Sequence, residues 1–281
     1  MHRERGAAIT DWLALWRELA EAFVKPDPDA NDGLVERYRA HDSGKSWRPD
    51  ELLDFVLAHT EASDAVLDIG AGTGRWTVPL ADKVRRVTAL EPAPGMAEML
   101  RANLSEAGAA NVVVVDAGWE HAAVGPHDVT VAAHSMYTSP DLAGFVRFME
   151  EHARRACFME LRIPPADGLI GQLSLRIHGH LHDSPNAVIA YNALYALGID
   201  ANVLVETDVR YRVEPTLEEA FERTKSHLRL DTTTEYDDLV LRTLEEGLTR
   251  VDDGWRWPDG KRSALLWWQP RHARSTMGRD P

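Results

Sequence analysis

The chain reads as a doubly wound α/β protein built on a mostly parallel sheet, and three observations predict it. Short apolar runs recur at Val66 to Ile69, Val87 to Leu90, Val112 to Val115, Val129 to Ala133 and Cys157 to Leu161, each of strand length. Helical stretches at Thr73 to Lys83, Pro94 to Ala107 and Pro140 to Arg154 separate most of them. A glycine-rich turn, Gly70-Ala71-Gly72-Thr73-Gly74, directly follows the first run. Apolar runs without polar alternation suit strands covered on both faces, and strand–helix alternation requires right-handed parallel crossovers.

The elements follow in order. Thr10 to Lys25 places Trp12, Leu13, Trp16, Leu19, Ala20 and Phe23 on one helical face, and the Pro26-Asp27-Pro28-Asp29 run stops the helix. A short helix over Leu34 to Arg39 and a turn at Asp42-Ser43-Gly44 come next. Pro49 suits the first position of a helix reaching about His59. Residues 1–60 therefore form a helical cap, and residues 61–163 the α/β core. Beyond Pro164-Pro165 two further helices, Leu169 to His178 and Asn186 to Leu197, make an insertion over residues 164–200, placed as a substrate lid. Residues 201–281 complete the sheet. They comprise one long strand from Val203 to Val213, helices at Leu217 to Leu228 and Tyr236 to Leu248, a closing strand at Ala264 to Gln269, and a basic tail from Arg271.

Composition narrows the function classes. The chain has 281 residues, 44% of them hydrophobic, as in ordinary globular proteins. No run approaches the roughly 20 apolar residues of a membrane helix, and the first residues lack a secretory pattern. Cys157 is the single cysteine, so no internal disulfide forms and a cytoplasmic setting is expected. The net charge of -14 repels phosphate backbones and argues against nucleic acid as substrate.

The most informative segment is Val66-Leu67-Asp68-Ile69-Gly70-Ala71-Gly72-Thr73-Gly74. Glycines between a strand and a helix allow backbone angles closed to other residues and let a ligand lie against the main chain. The second strand ends on Glu91, where a carboxylate can accept both hydroxyls of a ribose. An adenosine cofactor follows, of a kind that spacing helps to decide. Nicotinamide sites use G-x-G-x-x-G and face a pyrophosphate. Here the spacing is G-x-G-x-G with Asp68 just ahead, a carboxylate that repels pyrophosphate and suits a ligand bearing ammonium and sulfonium groups.

With these residues in place, the chain resembles the class I S-adenosylmethionine (SAM)-dependent methyltransferases. VLDIGAGTGRW resembles the family's first motif and RVTALEPAPGM its second. VVVVDAGWE is similar to the segment that reads adenine, and HDVTVAAHSMY to the fourth-strand motif facing the methyl group. The resemblance covers roughly residues 60–162. It implies a Rossmann-like, seven-stranded sheet and the cofactor S-adenosyl-L-methionine. It also implies Asp68, Gly70, Ala71, Gly72 and Gly74 around the methionine part, Glu91 with Pro92 at the ribose, and Met96, Asp116 and Ala117 at the adenine.

Methyl transfer from a sulfonium is an in-line displacement, which demands alignment in a dry pocket. A base is needed only for a protonated acceptor. His134, at the end of the fourth strand, is the first candidate and Tyr137 the second. His178, His180 and His182 alternate as three imidazoles could for zinc, yet no carboxylate or cysteine pattern joins them, so no metal is expected. Tyr191 and Tyr195 share a helix face and could wall an acceptor pocket, and Trp47 could shield the cofactor entrance. No Asn-Pro-Pro-Tyr-like tetrapeptide follows the fourth strand, which lowers DNA and protein-glutamine acceptors. The expected partner is a small-molecule acceptor, with no nucleic acid and no membrane. An NAD(P)-dependent oxidoreductase and a non-catalytic SAM-binding protein are the alternatives.

Overall fold

The computed structural model describes residues 10–23, 50–165, 168–207 and 210–273. The expectations for residues 24–49, including the Leu34 to Arg39 helix, the Asp42 turn and Trp47, and for the tail from residue 274 lie outside them. Helix α1 (Trp12–Phe23) is followed by α2 (Glu51–Ala58), then β1 (Ala65–Ile69), α3 (Thr77–Lys83), β2 (Arg86–Leu90), α4 (Pro94–Ala107) and β3 (Val112–Val115). Next come β4 (His127–Ala133), α5 (Leu142–His152), β5 (Ala153–Ile163), α6 (Leu169–His178) and α7 (Ala187–Ala196). The chain closes with β6 (Asn202–Val205), β7 (Arg210–Glu214), α8 (Leu217–His227), α9 (Asp237–Gly247), β8 (Thr249–Val251) and β9 (Gly254–Trp268).

The main sheet runs β3-β2-β1-β4-β5-β9-β6, and β7 and β8 pair with the first half of β9. Strands β1 to β5 are mutually parallel, whereas β9 enters antiparallel beside β5. The order turns around between β1 and β4, and such a switch point opens a crevice at the carboxyl ends of the strands. Successive residues serve opposite faces. Leu67 and Ile69 join a core with Trp16, Phe145 and Met159, while Val66 joins Leu52, Trp76, Val131 and Phe158 on the other side. Trp16 is fully buried and its indole N–H donates to the Ser139 carbonyl at 2.9 Å. Truncating such a side chain costs roughly 3–5 kcal/mol. A separate cluster gathers Leu173, Ala220, Val240, Leu244 and Trp257 from α6, α8, α9 and β9. Burial pushes the Cys157 thiol up, so it packs as a small apolar group. Among the described residues no helix is long and apolar enough to cross a membrane.

Several boundaries differ from expectation, each for a local reason. Helix α2 starts at Glu51 because Asp50 caps it, accepting from Leu53 N–H at 3.0 Å. Helix α3 starts at Thr77 rather than Thr73, because Gly74 lies at φ 94°, outside helical space. Asp141 caps α5, and Arg154 already belongs to β5. Strand β3 is not covered on both faces, being the sheet edge with Val113 62% exposed. The expected strand from Val203 to Val213 is two strands. Glu206 breaks the ladder, since its own carboxylate, in place of a backbone carbonyl, accepts the Ser263 N–H. The closing strand is far longer than Ala264 to Gln269, because it starts at a hairpin around Asp252-Asp253 that pairs β8 with β9.

Candidate functional site

The loop after β1 sits at the switch point. The N–H groups of Gly70 and Ala71 both donate to the Leu90 carbonyl at 2.9 Å, which ties the loop to β2. Its three glycines all have positive φ, at 76°, 58° and 94°, yet they serve different ends. A Cβ on Gly70 would lie 2.3 Å from Ser135 Cβ, and one on Gly74 would lie 2.7 Å from Leu100 Cδ1. Both glycines permit close packing within the protein. A Cβ on Gly72 would meet only the Met96 Cε, at 3.6 Å. Protein packing does not account for that glycine: its φ of 58° favours glycine, and only the Met96 methyl stands near the position.

Glu91 directly follows β2 and is 6% exposed. One carboxylate oxygen accepts Gly72 N–H at 2.8 Å and the other Ala93 N–H at 2.9 Å. Two charge-assisted bonds lock the carboxylate beside Gly72 and leave further lone pairs for hydroxyls. Burial raises its pKa, and the two backbone bonds oppose the rise. Asp68 lies within β1 and accepts the Thr77 hydroxyl at 2.6 Å, pinning the start of α3. Burial pushes its carboxyl up to about 6, against the Thr77 bond and the Arg75 charge. A buried carboxylate in that state gains from a cationic partner.

The structure also brings His134 and Tyr137 together. His134 takes φ 55° at the end of β4, uncommon for a residue with a side chain. Its Nδ1 is 2.7 Å from the Tyr137 hydroxyl, and its Nε2 is 3.1 Å from Glu160 Oε1 and 3.2 Å from Ser263 Oγ. An ionised carboxylate only accepts, so Nε2 carries a proton, and in the neutral form of the ring Nδ1 accepts the Tyr137 O–H. The Tyr137 oxygen in turn accepts the Arg162 N–H at 2.7 Å. Burial lifts the Tyr137 hydroxyl to about 12, despite the Arg162 charge.

Glu160, Arg75 and Asp50 complete the network, and sequence reasoning missed all three. Arg75 bridges the Asp50 and Glu160 carboxylates. Burial would raise Glu160, but the His134 bond and the charges of His134 and Arg75 outweigh it and hold the carboxyl at about 2. One signal was present: Arg75 directly follows the last glycine of the loop, and Glu160 sits in the fifth strand among apolar neighbours. A carboxylate inside a buried strand needs a partner.

The remaining expectations fall on less enclosed positions. Asp116 and Ala117 follow β3, and Asp116 is forked to Arg101 at 2.7 and 2.9 Å. Met96 is buried with its methyl beneath Gly72, and Pro92 is exposed. His178 ends α6 and its Nε2 donates to the Leu228 carbonyl at 3.0 Å, so the histidine run forms no strand. His178 and His180 line a polar cavity with Glu18, Asp183, His227 and Arg229. Among the described residues no three His, Cys, Asp or Glu side chains are grouped for a metal ion. Tyr191 and Tyr195 on α7 are 39% and 70% exposed.

The fold and this loop place the chain among the class I methyltransferase folds. Residues 66–155, from β1 into β5, match the model of the methyltransferase domain family. Over 67 residues the chain is 39% identical to uncharacterized methyltransferases of Mycobacterium bovis and Mycobacterium tuberculosis. That match covers 24% of this chain and 27% of theirs, so the chain spans about a quarter of the length of these curated relatives. Over 88 residues it is 28% identical to the "Probable ribosomal RNA small subunit methyltransferase A" of Methanosphaera stadtmanae, covering 29% of this chain and 32% of that one. The YcgJ protein of Bacillus subtilis superposes with a TM-score of 0.56 at 15% identity, over 79% of this chain and 98% of that one. Magnesium protoporphyrin IX methyltransferase of Synechocystis does so at 0.50 and 12%, over 90% and 99%.

Proposed function

We propose that this chain transfers a methyl group from SAM to a small-molecule acceptor, in a pocket covered by α1, α2 and residues 168–200. The observation that carries the reading is the Gly72–Glu91 pair: a glycine that protein packing leaves open, beside a buried carboxylate locked by two N–H groups. The donor set fits the cofactor. Glu91 would hold the ribose hydroxyls, Asp68 would face the ammonium, and the main chain from Gly70 to Gly74 would lie along the methionine part. Pro92, Met96, Asp116 and Ala117 would border the adenosine. When bound, the cofactor brings a methyl group activated by a sulfonium.

The protein's own part is alignment and, for a protonated acceptor, proton removal. His134 has no nitrogen open to an acceptor, because Glu160 and Tyr137 hold both. The Tyr137 oxygen would take the acceptor's proton as its own hydroxyl proton passes to Nδ1 of His134. Glu160 then stabilises the imidazolium. An RNA acceptor is disfavoured by the net charge of -14.

Calorimetric titration with SAM, S-adenosylhomocysteine and NADH tests the reading. SAM and S-adenosylhomocysteine are expected to bind, with affinity falling at least tenfold in Asp68→Ala and Glu91→Ala. Binding of NADH alone, or unchanged affinity in both variants, would sink it. Incubation with methyl-labelled SAM and small-molecule extracts separates an enzyme from a non-catalytic binder, which would transfer no label.

A further inference from the structure

Four cationic side chains converge just beyond Tyr137, on elements that the cofactor loop does not use. Arg162 is the penultimate residue of β5 and stands opposite Ser263 of β9, the residue whose hydroxyl reaches His134. Its guanidinium lies 5.4 Å from the centre of the Tyr137 ring. Lys261 is two residues before Ser263 on the same strand, hence on the same face. Strand β7 runs alongside with Arg210 opposite Lys261, and Arg212 falls at its register shift between Tyr211 and Val213. Arg223 approaches from α8.

Among the described residues, one buried carboxylate answers two of these cations. Glu214 Oε1 is 3.3 Å from Arg212 Nε and 2.9 Å from Arg223 Nε. Asp183 also faces Arg162, but His227 holds it. The crowding has a measurable consequence. Burial first, then the charges of Arg212, Arg162 and Arg223, push the Lys261 ammonium down to about 8, with Glu214 opposing. Burial and Arg223 likewise lower Arg212. Cations assembled at such a cost in a chain of net charge -14 are poised for an anion.

We propose that the methyl acceptor carries an anionic group, a carboxylate or a phosphate, held by Arg162, Arg212, Arg223 and Lys261 beside Tyr137. The proposal rests on the methyltransferase reading of the same site. Guanidinium forks suit planar or tetrahedral oxyanions, and an ammonium adds a point charge. The net charge of -14 repels polyanions, while this local cluster of cations would accept a small anion.

The test titrates SAM-loaded protein with inorganic phosphate and with acetate at constant ionic strength, followed by calorimetry. Binding of at least one anion is expected, and the tighter of the two identifies the group. Lys261→Gln and Arg212→Gln should each weaken it about tenfold, a charge-assisted contact being lost. Arg154→Gln, which alters a surface pair with Asp128, should leave it unchanged. Wild-type affinity should fall as the pH rises through about 8, while Lys261→Arg keeps its affinity at pH 9. Absence of binding of both anions, or equal weakening by Arg154→Gln, overturns the proposal. SAM affinity measured on the same samples distinguishes the failures: retained SAM binding leaves the methyltransferase reading standing, and its loss in wild type removes both.

Discussion

Alanine at Gly70 and alanine at Gly72 should fail in different ways. Both glycines have positive φ, 76° and 58°, where an L-residue costs roughly 1–2 kcal/mol. At Gly70 a new Cβ also lands 2.3 Å from Ser135 Cβ on β4's exit. Relieving that overlap moves backbone and adds roughly 1–3 kcal/mol, for a total of about 2–5 kcal/mol. At Gly72 the nearest atom is the flexible end of Met96 at 3.6 Å, so only the backbone cost of about 1–2 kcal/mol applies. For a chain of this size each kcal/mol moves Tm by about 2–4 °C. Gly70→Ala should therefore melt roughly 4–20 °C lower, and Gly72→Ala only about 2–8 °C lower. SAM affinity should show the reverse order, with Gly72→Ala losing tenfold or more because its methyl occupies the ligand's place. Thermal unfolding and calorimetric titration measure both. Equal losses of Tm, or unchanged SAM affinity in Gly72→Ala, would refute the division of labour among the glycines.

Three further outcomes are expected. SAM affinity should weaken as the pH falls through about 6, where Asp68 takes a proton and loses its attraction for an ammonium; Asp68→Asn should bind weakly at every pH, without that step. Glu160, held at about 2, stabilises the fold above the ordinary carboxylate range. That contribution should be lost as pH falls from about 5 towards 2, so the Tm of Glu160→Gln should fall less steeply over that range than that of wild type. Nitrogen-15 NMR of the His134 ring should report a proton on Nε2 in wild type, and a mixture of tautomers in Glu160→Gln. A wild-type ring protonated on Nδ1 would contradict the direction of the Tyr137 relay.

Much of the core was legible in the sequence because its elements are locally determined. A buried parallel strand needs an unbroken apolar run, so β1 and β2 were readable to within one residue, and proline at the first helical position made Pro94–Ala107 readable to the residue. The glycine spacing with Asp68 and Glu91 likewise named the cofactor class, since backbone angles and carboxylate placement belong to the local chain. Boundaries failed where a side chain took over a backbone role, as Asp50 does at α2 and Glu206 between β6 and β7. The Asp253-Gly254 pair is a local hairpin signal that places the start of β9. What only the tertiary structure decided are contacts between distant segments. Asp50, Arg75 and Glu160 lie up to 110 positions apart yet form one bridged network, and its Glu160, together with Tyr137, closes both nitrogens of His134. Arg162, Arg212, Arg223 and Lys261 meet only because β9 is long enough to pair with β5 and β7 at once. Periodicity reports which face is buried, whereas the meeting of charges depends on sheet order and register, which no local pattern encodes.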